Sequence, residues 1–210
     1  MRKVAFVLFA LGLLVAAAPA ARQAAPPPRT LGPAAPVRVI LFIGDGVGAA
    51  YWTAARFAAE RLAVESFPVV GLVDTRSASH KVTDSAAGAT VYATGVRTYN
   101  GAIGVGPDSL PLETVLERAE SKGMATGLVA TSTITHATPA SFAAHVRTRQ
   151  DEPEIARQLA GKEIEVLLGG GRAYFDGSAR PDSQNLLTAL RRRYVYVEDA
   201  AALAALDPDT

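Results

Sequence analysis

Residues 37–46, VRVILFIGDG, carry the clearest signal of secondary structure in the sequence. The first seven of these residues are apolar or β-branched apart from Arg38, a pattern typical of a strand that is buried on both faces. Gly44-Asp45-Gly46 ends the strand, and the alanine-rich residues 47–63 that follow predict a helix. A strand, a tight turn and a helix in this order indicate the start of a βαβ unit.

The rest of the sequence continues the alternation of strands and helices. Further strands are predicted at 69–73, 126–130, 166–168 and 194–197. Helices are predicted at 85–94, 112–122, 154–160, 184–192 and 199–205, and Pro111 opens the second of them. Pro139 opens one more short helix, and residues 98–105 predict a glycine-rich loop. The alternation predicts an α/β fold with a mainly parallel sheet, whose ligands bind where the strands end.

The first 36 residues have a different composition from the remainder. A positive start, Met1-Arg2-Lys3, precedes an uncharged apolar run over 4–18 and an Ala-Pro-Ala cleavage pattern at 18–20. Residues 1–20 therefore predict a signal peptide, and the alanine- and proline-rich residues 21–36 predict an extended linker. We expect a secreted or periplasmic protein with no stable membrane anchor after cleavage, although the apolar run also fits an N-terminal anchor.

Composition excludes several classes of function. The sequence has no cysteine, which rules out disulfides, thiolate zinc sites and cysteine nucleophiles, so any metal must be held by oxygen and nitrogen ligands. Its net charge is +1, and we expect no nucleic-acid partner, because such proteins usually carry a basic stripe.

The turn around Asp45 has three interpretations. Gly44-Asp45-Gly46-Val47-Gly48-Ala49 matches the dinucleotide fingerprint G-x-G-x-x-A, with Asp74 after the next predicted strand as a ribose acceptor. A carboxylate in a pyrophosphate site would repel its ligand, whereas the same carboxylate is well placed to hold a divalent cation. Asp45 is also an ordinary turn residue by type.

Three further segments contain reactive or phosphate-binding side chains. Residues 82–90, VTDSAAGAT, put Ser85 at a helix start with small residues behind it, where an anion is favoured, although Thr83, Asp84 or Ser85 also suits a helix N-cap. Residues 131–139 supply several hydroxyls and His136 at the end of a predicted strand. In residues 145–149, HVRTR, an arginine could hold two phosphate oxygens, although a lone histidine or arginine is more often structural or solvated.

Taken in order, these segments resemble the N-terminal half of an alkaline phosphatase. IGDGVG at 43–48 resembles the first metal-ligand turn of that family, TDSAAGAT at 83–90 its nucleophile motif, and THATPA at 135–140 with HV at 145–146 and Arg149 its segment for the third metal and the phosphate. The resemblance covers about residues 37–206. It implies a three-layer α/β/α sandwich with a mainly parallel sheet, incomplete at the C-terminus.

The resemblance also implies metal ligands. Asp45 would bridge a zinc ion and the third metal, Ser85 would contact zinc, and Thr138 and His136 would belong to the third site. The family binds two zinc ions and one magnesium ion. Some members have aspartate where this chain has His136, which leaves the identity of the third metal open.

For catalysis, the resemblance implies phosphomonoester hydrolysis through a phosphoserine at Ser85, with inorganic phosphate as product. Arg149 would clamp the phosphate, because its spacing from His145 matches the family pattern better than that of Arg147, and Asp84 would orient Arg149. A homodimer is compatible with the resemblance.

The family pattern places its remaining ligands beyond residue 210, and the sequence contains three histidines in all. We therefore expect residues 1–210 alone to be an incomplete and inactive phosphatase. Two other readings are an exported phosphate- or nucleotide-binding protein without catalysis and a dehydrogenase that uses the Gly44–Ala49 fingerprint.

Overall fold

The computed structural model describes residues 38–207. The chain divides into two units, with the boundary between Phe42 and Ile43. In the first unit, residues 38–42 have no regular secondary structure and expose their apolar side chains. The predicted signal peptide (1–20) and linker (21–36) lie outside the described residues and stay predictions. No helix within residues 38–207 is both long enough and apolar enough to span a membrane.

Two parallel strands form the sheet of the second unit, β1 (Gly127–Thr133) and β2 (Val166–Gly170). Leu128 lies opposite Leu167, and the register becomes irregular between Val129 and Thr133. Helical chain connects the two strands, as a parallel pair requires. This pairing confirms the predicted α/β class, with two strands in the described sheet.

Short helices precede, connect and follow the two strands, and four of the described helices begin at a residue whose side chain caps the helix. Within the described residues they are α1 (Ala49–Ala58), α2 (Ser85–Thr94), α3 (Val115–Glu120), α4 (Ala137–Ala140), α5 (Glu152–Gly161), α6 (Leu186–Leu190) and α7 (Ala200–Ala204), with 3₁₀ turns at Ala63–Ser66 and Arg172–Tyr174. Helix α3 begins later than predicted because Thr114, rather than Pro111, opens it. The Thr114 hydroxyl accepts from the Glu117 N–H at 3.1 Å, and the Glu117 carboxylate accepts from the Thr114 N–H at 2.9 Å.

The core lies where α2 packs on α4, and the buried side chains of α5 belong to the same cluster as Leu128 of β1. Small side chains let these helices approach closely, and larger ones from α5 and the loops fill the remaining space. The alanines involved are Ala86, Ala93, Ala137, Ala140, Ala143 and Ala144, and the larger side chains include Ile103, Ile155 and Leu159.

Three of the predicted strands are wrong. Residues 38–43, 69–73 and 194–197 form no strand, and Phe42 and Val70 are almost fully exposed. β-branched runs favour a strand only where another strand pairs with their backbone, and β1 and β2 are the paired strands of the described sheet. At Tyr194 the backbone N–H instead bonds to the Leu190 carbonyl in the turn after α6.

The glycine-rich loop (residues 98–105) runs beside residues 145–149, which we call the arginine segment. Ile103 and Val146 exchange two backbone hydrogen bonds of 3.0 Å, and the Arg149 N–H bonds to the Gly101 carbonyl at 2.8 Å. From the other side, the Thr90 hydroxyl of α2 donates to the Ala102 carbonyl at 3.1 Å. The loop is thus held between α2 and the arginine segment.

A cluster of charged side chains lies at the Gly104 end of the paired loop and arginine segment. His145 bonds through its two ring nitrogens to the Gly104 carbonyl and to Glu117, and Lys162 also bonds to Glu117. Burial alone would raise the pKa of Glu117, but hydrogen bonds from His145, Lys162 and the Thr114 N–H outweigh it and lower that pKa to about 2.

We predict that Gly104→Ala destabilises the fold by about 3 kcal/mol or more. Gly104 has φ +59°, and an added Cβ would lie 2.1 Å from the Ala144 carbonyl oxygen. Gly123→Ala is the matched control, because Gly123 also has a positive φ (+71°) but has open space around it. We expect that control to lose about 1–2 kcal/mol. Urea unfolding measures both losses, and equal losses would contradict the close approach at Gly104.

We predict that Glu117 makes the free energy of unfolding decrease as the pH is lowered from 4.5, the ordinary pKa of this carboxyl, to about 2, its pKa in the folded protein. In that window the unfolded carboxyl takes up a proton and the folded one does not, so the free energy of unfolding falls by about 1.4 kcal/mol per pH unit. Urea unfolding between pH 5 and pH 2.5 should show this dependence weakened in Glu117→Gln. Glu113→Gln, which removes an exposed carboxylate nearby, should retain it. Identical pH profiles for the two variants would refute the prediction.

Candidate functional site

Ser85 is the first residue of helix α2, and Asp84 is its N-cap. The Asp84 Oδ1 atom accepts from the Ala87 N–H at 2.9 Å, which fixes the start of the helix. Ala86 and Ala87 are buried behind the serine, so small side chains bring the helix close to its neighbours. The Ser85 hydroxyl therefore lies at the positive end of a ten-residue helix, where an anion is stabilised.

Arg149 connects three of the residues singled out in the sequence. Its Nη1 atom donates to Ser85 Oγ at 2.7 Å and lies 3.4 Å from Asp84 Oδ2, and its Nη2 atom donates to His136 Nε2 at 3.0 Å. A guanidinium group only donates, so His136 accepts at Nε2 and carries its ring proton on Nδ1. About a quarter of the Arg149 side chain is exposed.

This arrangement suits a tetrahedral anion. The two terminal nitrogens of Arg149 form a planar fork, which matches two oxygens of a phosphate group. The fork lies against the Ser85 hydroxyl, and the N-terminus of α2 adds backbone N–H groups at the same point. A phosphate held by Arg149 would thus lie next to the hydroxyl of Ser85, the first residue of α2.

The glycine-rich loop fixes the carboxylate that faces Arg149. Gly101 N–H donates to Asp84 Oδ2 at 3.0 Å, and the Asp84 N–H donates to Asn100 Oδ1 at 3.3 Å. The Gly101 carbonyl accepts from the Arg149 N–H, so one peptide position contacts both Asp84 and Arg149. Sequence reasoning identified this loop but not the role of Gly101, whose contacts are made by the backbone.

A second pair of predicted residues meets near the start of α1. Thr138 Oγ1 donates to Asp45 Oδ2 at 2.9 Å. Asp45 lies in a tight turn, in which the Val47 N–H bonds to the Gly44 carbonyl at 3.1 Å and Gly46 adopts φ +71°. Thr138 lies two residues after His136, so short helix α4 links this pair to the Arg149 contacts.

The chemistry of this pair fits part of a metal site. A carboxylate and a hydroxyl are hard oxygen donors of the kind that Mg²⁺ takes, and Mg²⁺ keeps several water ligands. Within residues 38–207 no three His, Asp or Glu side chains come together as a metal-binding group. Zinc sites in proteins use three or four protein ligands, so the described residues supply only part of such a site.

Glu152 supports the chain just before His136. Its carboxylate accepts from the Thr133 and Thr135 hydroxyls at 3.1 and 2.5 Å and from the Tyr174 hydroxyl at 3.0 Å. The hydrogen bond to Glu152 and burial raise the pKa of Tyr174. Sequence analysis missed Glu152, because a carboxylate at a helix start is usually read as a helix-dipole partner.

Two other candidates lie outside the cluster. The backbone carbonyl of Arg147 accepts from Tyr99 at 3.2 Å, while the Arg147 residue is exposed. The carboxylate of Asp74 is paired with Arg76 at 2.6 Å and Arg97 at 3.0 Å. The hydrogen bonds from Arg76 are the main cause that holds the pKa of Asp74 well below its usual range. Asp74 is thus engaged by two cations rather than open to a ribose.

Comparison with known proteins assigns the chain to a family. Residues 37–210 match the family model described as alkaline phosphatase. The chain is similar to alkaline phosphatase 3 of Bacillus subtilis, with 43% identity over 178 residues, which cover 77% of this chain and 37% of that relative. It thus spans well under two thirds of the length of the curated relative it matches.

Solved structures agree with this assignment. The alkaline phosphatase of the Antarctic bacterium TAB5 is 37% identical, with a TM-score of 0.69 over 77% of this chain and 48% of that one. A variant of the same enzyme, in which a histidine is replaced by aspartate, has Mg bound in its M3 site and matches with 36% identity, a TM-score of 0.69 and the same coverage. The chain belongs to the alkaline phosphatase family.

Proposed function

We propose that the full-length protein hydrolyses phosphomonoesters through a phosphoserine at Ser85, with zinc and magnesium ions as cofactors. The observation that carries this proposal is the contact of Arg149 with Ser85 at the N-terminus of α2. The proposal concerns the full-length protein because the chain spans 37% of its Bacillus relative.

The residues of this chain would bind and orient the phosphate. Arg149 would release Ser85 and direct Nη1 and Nη2 to two phosphate oxygens, and Asp84 would hold the guanidinium in the correct plane. The N-terminus of α2 adds a positive end to the same site. These contacts neutralise charge on the equatorial oxygens, on which phosphoryl transfer mainly depends.

The reaction would proceed in two displacements. A bond forms between Ser85 Oγ and phosphorus while the bond from phosphorus to the ester oxygen breaks, and the proton that the Ser85 hydroxyl loses leaves with the alcohol. Water then attacks the phosphoserine, releases inorganic phosphate and restores the hydroxyl. Metal ions, when bound, would activate the attacking oxygens and stabilise the leaving group.

Asp45 and Thr138 would hold the third metal, with His136 beside them. Support comes from the oxygen donors of the first two residues, which lie 2.9 Å apart. The TAB5 variant that binds Mg in its M3 site has an aspartate introduced in place of a histidine. When Arg149 turns to the phosphate, Nε2 of His136 would be released and could add a nitrogen ligand, which an all-oxygen Mg²⁺ site lacks.

The proposal predicts that Ser85→Ala abolishes turnover. The full-length protein, supplied with zinc and magnesium, should hydrolyse a chromogenic phosphomonoester, and mass spectrometry after an acid quench should find phosphate on the peptide that contains Ser85. We expect Ser85→Ala to lower kcat by at least about 10³-fold, since the nucleophile itself is removed. Ser132→Ala is the control, because the exposed Ser132 hydroxyl donates to the carbonyl of the next residue.

Turnover that persists in Ser85→Ala would contradict the proposal. So would phosphate binding, measured by calorimetry, without turnover and without dependence on metal. That result would favour an exported phosphate-binding protein, since Arg149 and the start of α2 require no metal to attract an anion.

We also propose that the protein is exported by residues 1–20. The support is their sequence pattern, a positive start followed by an apolar run and Ala-Pro-Ala. Expression in a bacterial host should yield protein outside the cytoplasm whose N-terminus, read by mass spectrometry, begins at Ala21. An intact Met1 N-terminus on a membrane-bound product would instead indicate an anchor.

A further inference from the structure

His145 is held at two ring atoms by acceptors. Its Nδ1 atom lies 2.7 Å from the Gly104 carbonyl oxygen, and its Nε2 atom lies 2.8 Å from Glu117 Oε1. A carbonyl oxygen only accepts, so the ring donates to Gly104 from Nδ1, and Nε2 faces the Glu117 carboxylate. The side chain is 17% exposed, and Glu117 and Lys162 are the charged groups at its outer nitrogen.

The backbone at His145 is fixed as closely as its ring. Gln158 of α5 accepts from the His145 N–H at 2.7 Å and donates to the His145 carbonyl at 3.2 Å. On the opposite side, the backbone at Gly104 approaches so closely that a Cβ atom would overlap the Ala144 carbonyl. His145 therefore sets the position at which the glycine-rich loop and the arginine segment meet.

From that position the two paired segments continue to Arg149. The loop and the arginine segment run antiparallel from Gly104 and His145, through the paired Ile103 and Val146, to the hydrogen bond between Gly101 and Arg149. Gly101, in the middle of the loop, also holds Asp84 through its N–H. A shift at His145 would thus move the guanidinium and the carboxylate that faces it.

We propose that His145, paired with Glu117, is a positioning residue that sets the location of the Arg149 guanidinium relative to Ser85. The proposal rests on the proposed function in so far as Arg149 binds phosphate. It assigns no contact between His145 and the substrate, and its effect therefore lies in phosphate affinity rather than in bond making.

The test compares full-length, metal-loaded variants. His145→Ala removes both hydrogen bonds, and we expect the inhibition constant of inorganic phosphate and the KM for a phosphomonoester to rise about tenfold, with a smaller change in kcat. His145→Asn can still donate to the Gly104 carbonyl and should recover much of the loss. Glu117→Gln should weaken phosphate binding in the same direction, while the exposed Glu113→Gln should not.

Amide hydrogen exchange gives a readout that does not need turnover. In His145→Ala, exchange at residues 101–104 and 145–149 should become faster, while that of α7 should stay unchanged. Unchanged phosphate affinity in His145→Ala, with the wild-type protein active, would overturn the positioning role. A wild-type protein that lacks turnover would instead overturn the proposed function, and hydrogen exchange would still report whether His145 fixes the two segments.

Discussion

The carboxylate of Asp84 fastens three parts of the molecule at one point. One of its oxygens caps helix α2 through the Ala87 N–H, and the other accepts from the Gly101 N–H and faces Arg149. Burying about three quarters of a carboxylate side chain requires hydrogen bonds to compensate for the lost water, and these donors supply them. The start of the helix, the path of the loop and the direction of the arginine therefore depend on one group.

The candidate site has two parts that differ in the number of contacts that hold them. Around Ser85, Arg149 contacts Ser85 at 2.7 Å, His136 at 3.0 Å and Asp84 at 3.4 Å, and the Gly101 backbone holds both Asp84 and Arg149. Around Asp45, a single hydrogen bond to Thr138 joins an exposed turn to α4. In the proposed function, the first part would orient a phosphate with its own side chains, whereas the second would offer oxygen donors to a metal.

The sequence predicts correctly those helices whose ends are set by capping residues next to them in the chain. Helix 85–94 was predicted with the bounds that the structure has, since Asp84 caps its start and Gly95 ends it with φ +75°. The apolar runs at 37–43 and 69–73 predict strands, but a strand also requires a partner that a local pattern cannot specify. The contacts of Gly101 could not be read from the sequence for a related reason, because backbone groups are the same at every position.

We propose that Asp84 and the glycine-rich loop hold Arg149 ready to bind a phosphoryl group at Ser85. The decisive experiment is a crystal structure of the full-length protein with zinc, magnesium and orthovanadate, a mimic of the phosphoryl group in transfer. We expect vanadium bonded to Ser85 Oγ, both terminal nitrogens of Arg149 on vanadate oxygens, and Asp84 still bonded to the Gly101 N–H. Vanadate bound away from Ser85, with Arg149 making none of these contacts, would refute this arrangement.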